Sequence, residues 1–335
     1  MYQDFYSFRA MPFLITPDSR FYFGSQEHRK AMAFLQYGLA QREGFVVITG
    51  EIGAGKTTLV EHLLSMLDPG EYVIARVVTT QLDGYDTLRM IANGFGVSGE
   101  GLDKGSLINR VGQFFAGLQS RGKHPLVIVD EAQSLTVEAI EELRMLSNLA
   151  VGARAPFQGI FLGQPEFRVA FASPGLQQFR QRVIASCHLD ALNAEDTRKY
   201  IEHRLTHVGW VSDPSFSDAA FEEIHRRSGG IPRRVNSLCS RLLLLGYLEE
   251  RHAIDSAAVA SVAQEMEVEL GIPDTVLVWP KKDGVHHNIR HDLNIETDEI
   301  WSRLARLERA ADKHEMVIRR VLDLALKYLR HEDAK

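Results

Sequence analysis

Short apolar runs rich in β-branched residues alternate with longer stretches of helical periodicity in the first part of the chain. The runs that predict buried strands occupy residues 45–49, 72–78, 126–129, 159–163 and 186–189. Apolar residues at helical spacing predict helices at 26–41, 57–66, 84–96 and 105–121. Because strands that alternate with helices usually form a parallel sheet covered on both faces, we predict an α/β domain over residues 25–191.

The pattern changes near residue 192, where the predicted strands stop. Apolar positions at helical spacing predict helices at 194–208, 216–228, 232–250 and 255–269. The sequence therefore predicts a smaller, all-helical unit over residues 192–270 that follows the α/β domain.

Two further segments complete the predicted organisation. Residues 271–291 combine glycines and prolines with polar residues, which is typical of a linker. Residues 292–335 carry an a/d seam of about four heptads, broken at His314, which predicts a coiled-coil-like helix. Pairing with a second copy, packing on the body and binding of a partner helix all remain open for this seam. The seam consists of Ile300, Leu304, Leu307, Ala311, His314, Ile318, Val321, Ala325 and Tyr328.

One glycine-rich segment indicates a ligand. Residues 50–57 read Gly-Glu-Ile-Gly-Ala-Gly-Lys-Thr, the phosphate-binding pattern G-x-x-x-x-G-K-[ST], between a predicted strand and a predicted helix. The glycines allow a tight turn that points backbone N–H groups at phosphate oxygens. We expect Lys56 to contact the β- and γ-phosphates of ATP and the Thr57 hydroxyl to ligate Mg²⁺. The predicted nucleotide-binding residues are Gly50, Glu51, Ile52, Gly53, Ala54, Gly55, Lys56, Thr57 and Thr58.

Polar residues follow two other predicted strands. Asp130 and Glu131 end the strand at 126–129, and Gln164 follows the strand at 159–163. We expect Asp130 to hold the Mg²⁺ shell and Glu131 to polarise the attacking water as a general base. For Gln164, contact with the γ-phosphate or the water and a plain loop amide are nearly equal interpretations.

Three arginines are candidates for acting on the phosphates. Arg180 and Arg182 precede the short strand at 186–189, and Arg182 is the favoured candidate for acting in trans on the ATP of a neighbouring subunit. Arg233 begins a helix of the helical unit, after Gly229 and Gly230, and from there it reaches back towards the γ-phosphate.

Residues 1–24 are rich in aromatic residues and proline. Either this segment packs across the core, or some of its rings wall the adenine. The sequence leaves both interpretations open.

Composition narrows the class of protein. The chain has 335 residues, of which 45% are hydrophobic and 24% charged, an ordinary globular balance. A net charge of −6 argues against recruitment of nucleic acid by the overall field. The two cysteines, Cys187 and Cys239, are expected to be reduced core thiols. The sequence shows no secretory-signal pattern. It also has no apolar run of the ~20 residues that a membrane span needs, so we expect a cytoplasmic location.

The order of these motifs resembles that of the AAA+ ATPases over residues 25–270. Within that class, the segments at 12–28, 50–58, 130–133 and 162–166 resemble the general secretion pathway protein A branch, and most closely its members from PEP-CTERM/exosortase and exopolysaccharide loci. The resemblance implies an oligomerising ATPase that assists assembly of an envelope or export apparatus. Members of the branch usually carry a membrane span and a peptidoglycan-binding region, whereas this chain has a linker and a heptad segment at the corresponding place.

The sequence therefore predicts a homo-oligomeric, Mg²⁺-dependent ATPase, cytoplasmic or peripheral at the inner membrane through a partner that the C-terminal helix binds. Two alternatives remain. One is a DNA-associated regulator resembling transposon target selectors, and the other is a nucleotide switch that hydrolyses ATP slowly.

Overall fold

We describe the protein from a computed structural model. The structure describes residues 2–16, 18–78, 83–149 and 155–269, all within one compact unit, Met1–Val276. The predicted linker at 271–291 and the predicted heptad helix at 292–335 lie outside the described residues and stay predictions.

A five-stranded parallel sheet forms the centre of the α/β domain. Its strands run in the spatial order β2-β3-β4-β1-β5, with β1 in register between β4 and β5. Each predicted strand is present, so the parallel-sheet prediction is confirmed. The strands are β1 (Phe45–Gly50), β2 (Tyr72–Val78), β3 (His124–Asp130), β4 (Gln158–Gly163) and β5 (Val183–Leu189).

Helices cover both faces of this sheet, because side chains that alternate along each strand point to opposite faces. Val127 and Val129 of β3 belong to one apolar cluster, with the helices at 84–94, 104–119 and 137–147, whereas Leu126 and Ile128 belong to another, with the helices at 26–41 and 56–66. The helices of this domain are α2 (Gln26–Gln41), α3 (Lys56–Met66), α4 (Gly84–Gly94), α5 (Lys104–Gln119), α6 (Val137–Ser147), α7 (Pro165–Ala172) and α8 (Gln177–Arg180).

The unit that follows is mainly helical. Its helices are α9 (Ala194–His207), α10 (Asp218–Ser228), α11 (Pro232–Leu248) and α12 (Ser256–Glu269). The prediction of an all-helical unit needs one addition, a short parallel pair formed by β6 (Ser215–Phe216) and β7 (Ala253–Ile254). We call residues 192–269 the lid.

The aromatic N-terminal segment packs with the lid. It begins with a single turn, α1 (Tyr2–Phe5), and the hydroxyl of Tyr6 donates to the carbonyl of Arg251 over 2.8 Å. Its buried rings share one core cluster with Ile201, Leu205 and Leu242 of the lid. The segment therefore packs across the lid core, and the rings that do so are Tyr2, Tyr6, Phe8, Phe13 and Phe21.

Within the described residues, no helix is both long and apolar enough to cross a membrane.

Candidate functional site

The phosphate-binding loop lies where β1 ends and α3 begins, at the carboxyl edge of the sheet. Gly55 caps α3 with a positive φ of 98°, and Gly53 has a φ of 84°. Both conformations suit glycine, since side chains with a Cβ rarely adopt them. The carboxyl ends of β3 and β4 meet the loop at this same edge, which brings together most of the residues that the sequence singled out.

The Lys56 ammonium is folded into its own loop. Nζ donates to the carbonyl oxygen of Gly50 over 2.7 Å and to that of Glu51 over 3.0 Å, and the side chain is 9% exposed. Burial lowers the pKa of Lys56, although the carboxylates of Glu131, Asp130 and Glu51 oppose this shift. The ammonium is thus held close to where phosphates bind in such a loop.

The Thr57 hydroxyl donates to Asp130 Oδ2 over 3.1 Å, and this contact joins the loop to the end of β3. Hydroxyl and carboxylate oxygens are ligands that Mg²⁺ prefers, and it usually keeps several waters and shares phosphate oxygens besides. Among the described residues, no group of three or more His, Cys, Asp or Glu side chains forms a metal cage. The pair of Thr57 and Asp130 therefore fits a Mg²⁺ bound together with nucleotide phosphates.

Glu131 adopts a left-handed conformation, with a φ of 54°, directly after β3. Its Oε2 accepts hydrogen bonds from Gln133 Nε2 at 2.5 Å and from Gln164 Nε2 at 2.9 Å. Burial tends to raise the pKa of Glu131, but these amides and the charges of Lys56 and Arg233 outweigh it and lower the pKa. The carboxylate is thus ionised and held by two amides, and Gln133 was not among the predicted site residues.

Arg233 brings the lid to the loop. Its backbone N–H donates to the carbonyl of Gly53 over 3.2 Å, and a Cβ placed on Gly53 would lie 2.4 Å from the Cβ of Arg233. Arg233 also lines the cleft that contains the loop. Arg233 thus lies beside the phosphate-binding loop, where the sequence analysis placed it. Its role towards the γ-phosphate stays a proposal.

The other two arginines lie at the opposite edge of the sheet. Leu189, at the end of β5, pairs with Gly50, but Arg182 immediately precedes Val183, which pairs with Phe45. Six residues of strand at about 3.3 Å each separate these positions by roughly 20 Å. Arg182 donates to the Asn148 side chain, whereas Arg180 donates to the carbonyls of Phe171 and Ser173, both at 2.5 Å. Arg180 is therefore tied to the end of α7.

The loop opens into a cleft between the sheet edge, the lid and the N-terminal segment. Lys56 of the loop, Asn236 of the lid and Ile15 of the N-terminal segment are among the residues that line it. Phe21, Tyr22 and Phe23 line it, so some N-terminal rings face the cleft although most pack in the lid core.

Two residues of the cleft were missed at the sequence level. His28 is 6% exposed and lies against Gly55, and its Nδ1 is 2.7 Å from Ser25 Oγ. Arg204, on α9, is 5% exposed and lines the same cleft. His28 ends the segment at 12–28 that carries the family resemblance, but it was not assigned to the site. For Arg204 the sequence offered little signal, because a single arginine in an amphipathic helix is typical of a solvated face.

Comparison with known proteins agrees with this architecture. Residues 39–171 match the AAA domain family. Over 270 residues, 79% of the chain, the sequence is 35% identical to General secretion pathway protein A of Aeromonas hydrophila. The aligned part covers 48% of that protein, so the chain spans about half the length of this relative.

Solved structures share the fold at low sequence identity. Cdc6p from Pyrobaculum aerophilum superposes with a TM-score of 0.59 and 15% identity, covering 77% of this chain and 75% of that one. The ORC1 protein of Aeropyrum pernix, solved in complex with DNA, gives a TM-score of 0.58 and 16% identity, covering 76% of this chain and 69% of that one. These likenesses concern the fold, and they confirm a parallel-sheet core with surrounding helices of the P-loop AAA+ type.

Proposed function

We propose that this chain, which is similar to General secretion pathway protein A and matches the AAA domain family over residues 39–171, is an AAA+ protein that binds ATP with Mg²⁺ and hydrolyses it. One observation carries the proposal. The Lys56 ammonium, the Thr57–Asp130 pair and the Glu131 carboxylate meet in one cleft at the carboxyl ends of β1 and β3. These are the groups that phosphoryl transfer to water requires, because its catalysis consists of positioning and charge stabilisation.

Each group has a distinct task in the proposed reaction. Lys56 transfers its hydrogen bonds from the loop carbonyls to the β- and γ-phosphates, and Thr57 with Asp130 holds Mg²⁺. Bound Mg²⁺ supplies positive charge that offsets the negative charge on the phosphate oxygens. Glu131 accepts a proton from the water whose oxygen bonds to the γ-phosphorus, while the bond from that phosphorus to the ADP oxygen breaks.

Three further residues are proposed to support this chemistry. Gln164, with its amide on Glu131, aligns the carboxylate with the attacking water. Arg233 reaches the γ-phosphate and couples it to the lid. Arg182 lies too far from the loop of its own chain, so we propose that it stabilises charge on the ATP of a neighbouring copy in a homo-oligomer.

Steady-state turnover by three proteins tests the assignment. Wild-type protein should hydrolyse ATP when Mg²⁺ is present. Lys56→Ala should lose most nucleotide affinity, because the phosphates lose their main cation. Glu131→Gln should bind ATP as the wild type does and turn over at least about a hundredfold more slowly, the usual size of a general-base effect. Turnover by Glu131→Gln at the wild-type rate would show that Glu131 is not the general base.

The cellular task is the finer part of the proposal. We propose that the protein assists an envelope export or exopolysaccharide system of the PEP-CTERM type, from the cytoplasm or at the inner membrane through a partner. Similarity to General secretion pathway protein A supports this, and the C-terminal segment is the proposed docking element. Co-purification of an export component by the full chain, lost after deletion of 292–335, is the expected result.

Two other outcomes correspond to other functions. Tight ATP binding with turnover near zero at every protein concentration would indicate a nucleotide switch. Salt-dependent DNA binding would indicate a DNA-associated regulator, against which the net charge of −6 argues mildly.

A further inference from the structure

The cleft contains a buried cation for which the proposed chemistry has no use. Arg204 lies on α9, is 5% exposed, and lines the cleft. Arg198, one and a half turns earlier on the same helix, is exposed and forms ion pairs with Glu202 and Asp218. A guanidinium that is taken out of water without a close carboxylate is costly, so its position calls for a reason.

Among the described residues, the Arg204 guanidinium has few partners. Its carbon atom lies 4.9 Å from the centre of the Phe21 ring and 5.4 Å from that of Tyr200. One terminal nitrogen donates to the Leu14 carbonyl over a long 3.3 Å, and the buried Nε has no hydrogen-bond partner among the described residues. The carboxylate that acts on it from a distance, that of Asp18, is already bound by Arg20. Burial lowers the pKa of Arg204.

Arg204 lies away from the phosphate end of the cleft. The Lys56 ammonium donates to the loop carbonyls of Gly50 and Glu51, whereas the Arg204 guanidinium donates to the carbonyl of Leu14 in the N-terminal segment. The surroundings of Arg204 are aromatic, with its guanidinium carbon over the rings of Phe21 and Tyr200. A nucleotide whose phosphates occupy the loop extends its base towards this aromatic end.

We propose that Arg204 recognises the base, donating a hydrogen bond to a ring nitrogen of a purine bound between the N-terminal segment and the lid. The inference rests on the proposed nucleotide function and adds a specificity-determining residue to it. A guanidinium has five N–H donors and no acceptor, so it suits the acceptor nitrogens of a purine ring. The two rings pack against the guanidinium, and a base that binds there provides the acceptor that the described residues do not provide for Nε.

A purely structural role is the alternative to exclude. In such a role, Arg204 would only brace the N-terminal segment through the Leu14 carbonyl. Asn236 Nδ2, however, donates to that same carbonyl over a shorter 3.1 Å. We therefore expect the Leu14 carbonyl to stay bound to the lid when Arg204 is replaced. Replacement of Arg204 can then separate loss of base recognition from loss of the N-terminal contact.

The test measures dissociation constants by calorimetry for wild type and Arg204→Met with ATP, with the 1-deaza, 3-deaza and 7-deaza analogues, and with inorganic tripolyphosphate. Methionine keeps the apolar stem between the two rings and removes the donors. We expect Arg204→Met to weaken ATP binding about ten- to hundredfold, as for a buried charge-assisted hydrogen bond. Binding of tripolyphosphate, which has no base, should stay within about twofold. Wild type should discriminate against at least one deaza analogue, and Arg204→Met should not.

Arg198→Met is the matched control, because Arg198 is on the same helix and also stacks on a ring, that of Phe221. Its ATP affinity should equal that of wild type. Equal losses for ATP and tripolyphosphate in Arg204→Met would make Arg204 a brace and overturn the proposal. So would equal affinity of wild type for ATP and all three deaza analogues, a result that needs no variant to fold. If ATP affinity were unaffected by Lys56→Ala, the nucleotide function itself would fail, and this inference with it.

Discussion

At the scale of single residues, the polar groups at the phosphate end of the cleft are held by the protein itself. Lys56 donates to two carbonyls of its loop, Thr57 donates to Asp130, and two amides hold Glu131. Buried polar groups need such partners, since an unsatisfied one costs about 1–3 kcal/mol. Nucleotide binding therefore exchanges one set of hydrogen bonds for another. The geometry of the site does not have to be created by the ligand.

His28 makes a prediction about pH. Ser25 Oγ accepts the backbone N–H of His28, so its own hydrogen is free to donate to Nδ1, which places the ring proton on Nε2 beside the loop. Burial lowers the pKa of His28 to about 4, although contact with the Ala54 backbone opposes the shift. In the unfolded chain, this histidine takes up its proton near pH 6.5. Between pH 6.5 and 4 the unfolded state therefore binds more protons than the folded state, and the free energy of unfolding decreases as the pH is lowered.

Denaturant unfolding of wild type and His28→Gln between pH 7 and 4 measures this effect. Glutamine keeps a hydrogen-bond donor but does not titrate. From pH 7 to 4, wild type should lose about 3 kcal/mol more unfolding free energy than the variant, at 1.36 kcal/mol for each unit of pKa shift. A His62→Gln control removes another ring close to Tyr22. If the wild-type and His28→Gln curves run parallel, His28 does not titrate as we infer.

The residues that the sequence placed in the site either belong to a contiguous motif or lie at the end of a predicted strand. Lys56, Thr57 and Asp130 follow from the loop pattern and from the rule that parallel strands end at one edge. Arg204 does not follow from either. Its burial depends on Phe21, a residue more than 180 positions earlier, and no local pattern reports such a contact.

At the scale of elements, the junction of the loop with the lid rests on Gly53. The carbonyl of Gly53 accepts the Arg233 backbone N–H, which ties the loop to the first turn of α11. A Cβ at Gly53 would meet both a strained φ of 84° and the Cβ of Arg233 at 2.4 Å. Backbone atoms of the lid would have to move, because no flexible side-chain end is available to give way.

Gly53→Ala should therefore do more than strain one turn. Gly122→Ala is the matched control, since Gly122 has a φ of 73° with nothing within 4 Å of the added Cβ. We expect the control to lose about 1 kcal/mol of unfolding free energy, the cost of a left-handed conformation, and to keep ATP affinity. Gly53→Ala should lose more stability and at least about tenfold in ATP affinity. Equal losses in the two variants would show that the lid contact is unimportant.

The elements differ in how well their sequence reports them. The bounds of β2 are those predicted, because Arg76 is the one polar residue in its apolar run. The edge strand β5 begins three residues earlier than predicted, at Val183, because its backbone pairs with β1 from Phe45 onwards. The two-residue strands β6 and β7 are too short for any periodicity to appear.

At the scale of the whole molecule, the common direction of the strands separates the phosphate-binding loop from Arg182. All five strands run in one direction, so the phosphate-binding loop and Arg182 lie at opposite edges, roughly 20 Å apart. Arg182 is therefore unable to reach the nucleotide of its own chain. A head-to-tail assembly would place this edge of one copy against the cleft of the next, completing each site with a neighbour's arginine.

Mixing two inactive proteins tests this arrangement. Lys56→Ala has a defective loop but an intact Arg182, and Arg182→Ala has an intact loop but no arginine to offer. Each alone should have little activity. If subunits associate at random, an equimolar mixture should recover about a quarter of the wild-type rate, because one junction in four joins an intact loop to an intact arginine.

The control mixture of Lys56→Ala with Glu131→Gln should stay inactive, since both changes damage the same side of the junction. A mixture of Lys56→Ala and Arg182→Ala that merely averages its components, or Arg182→Ala that is fully active alone, would contradict a role for Arg182 in trans.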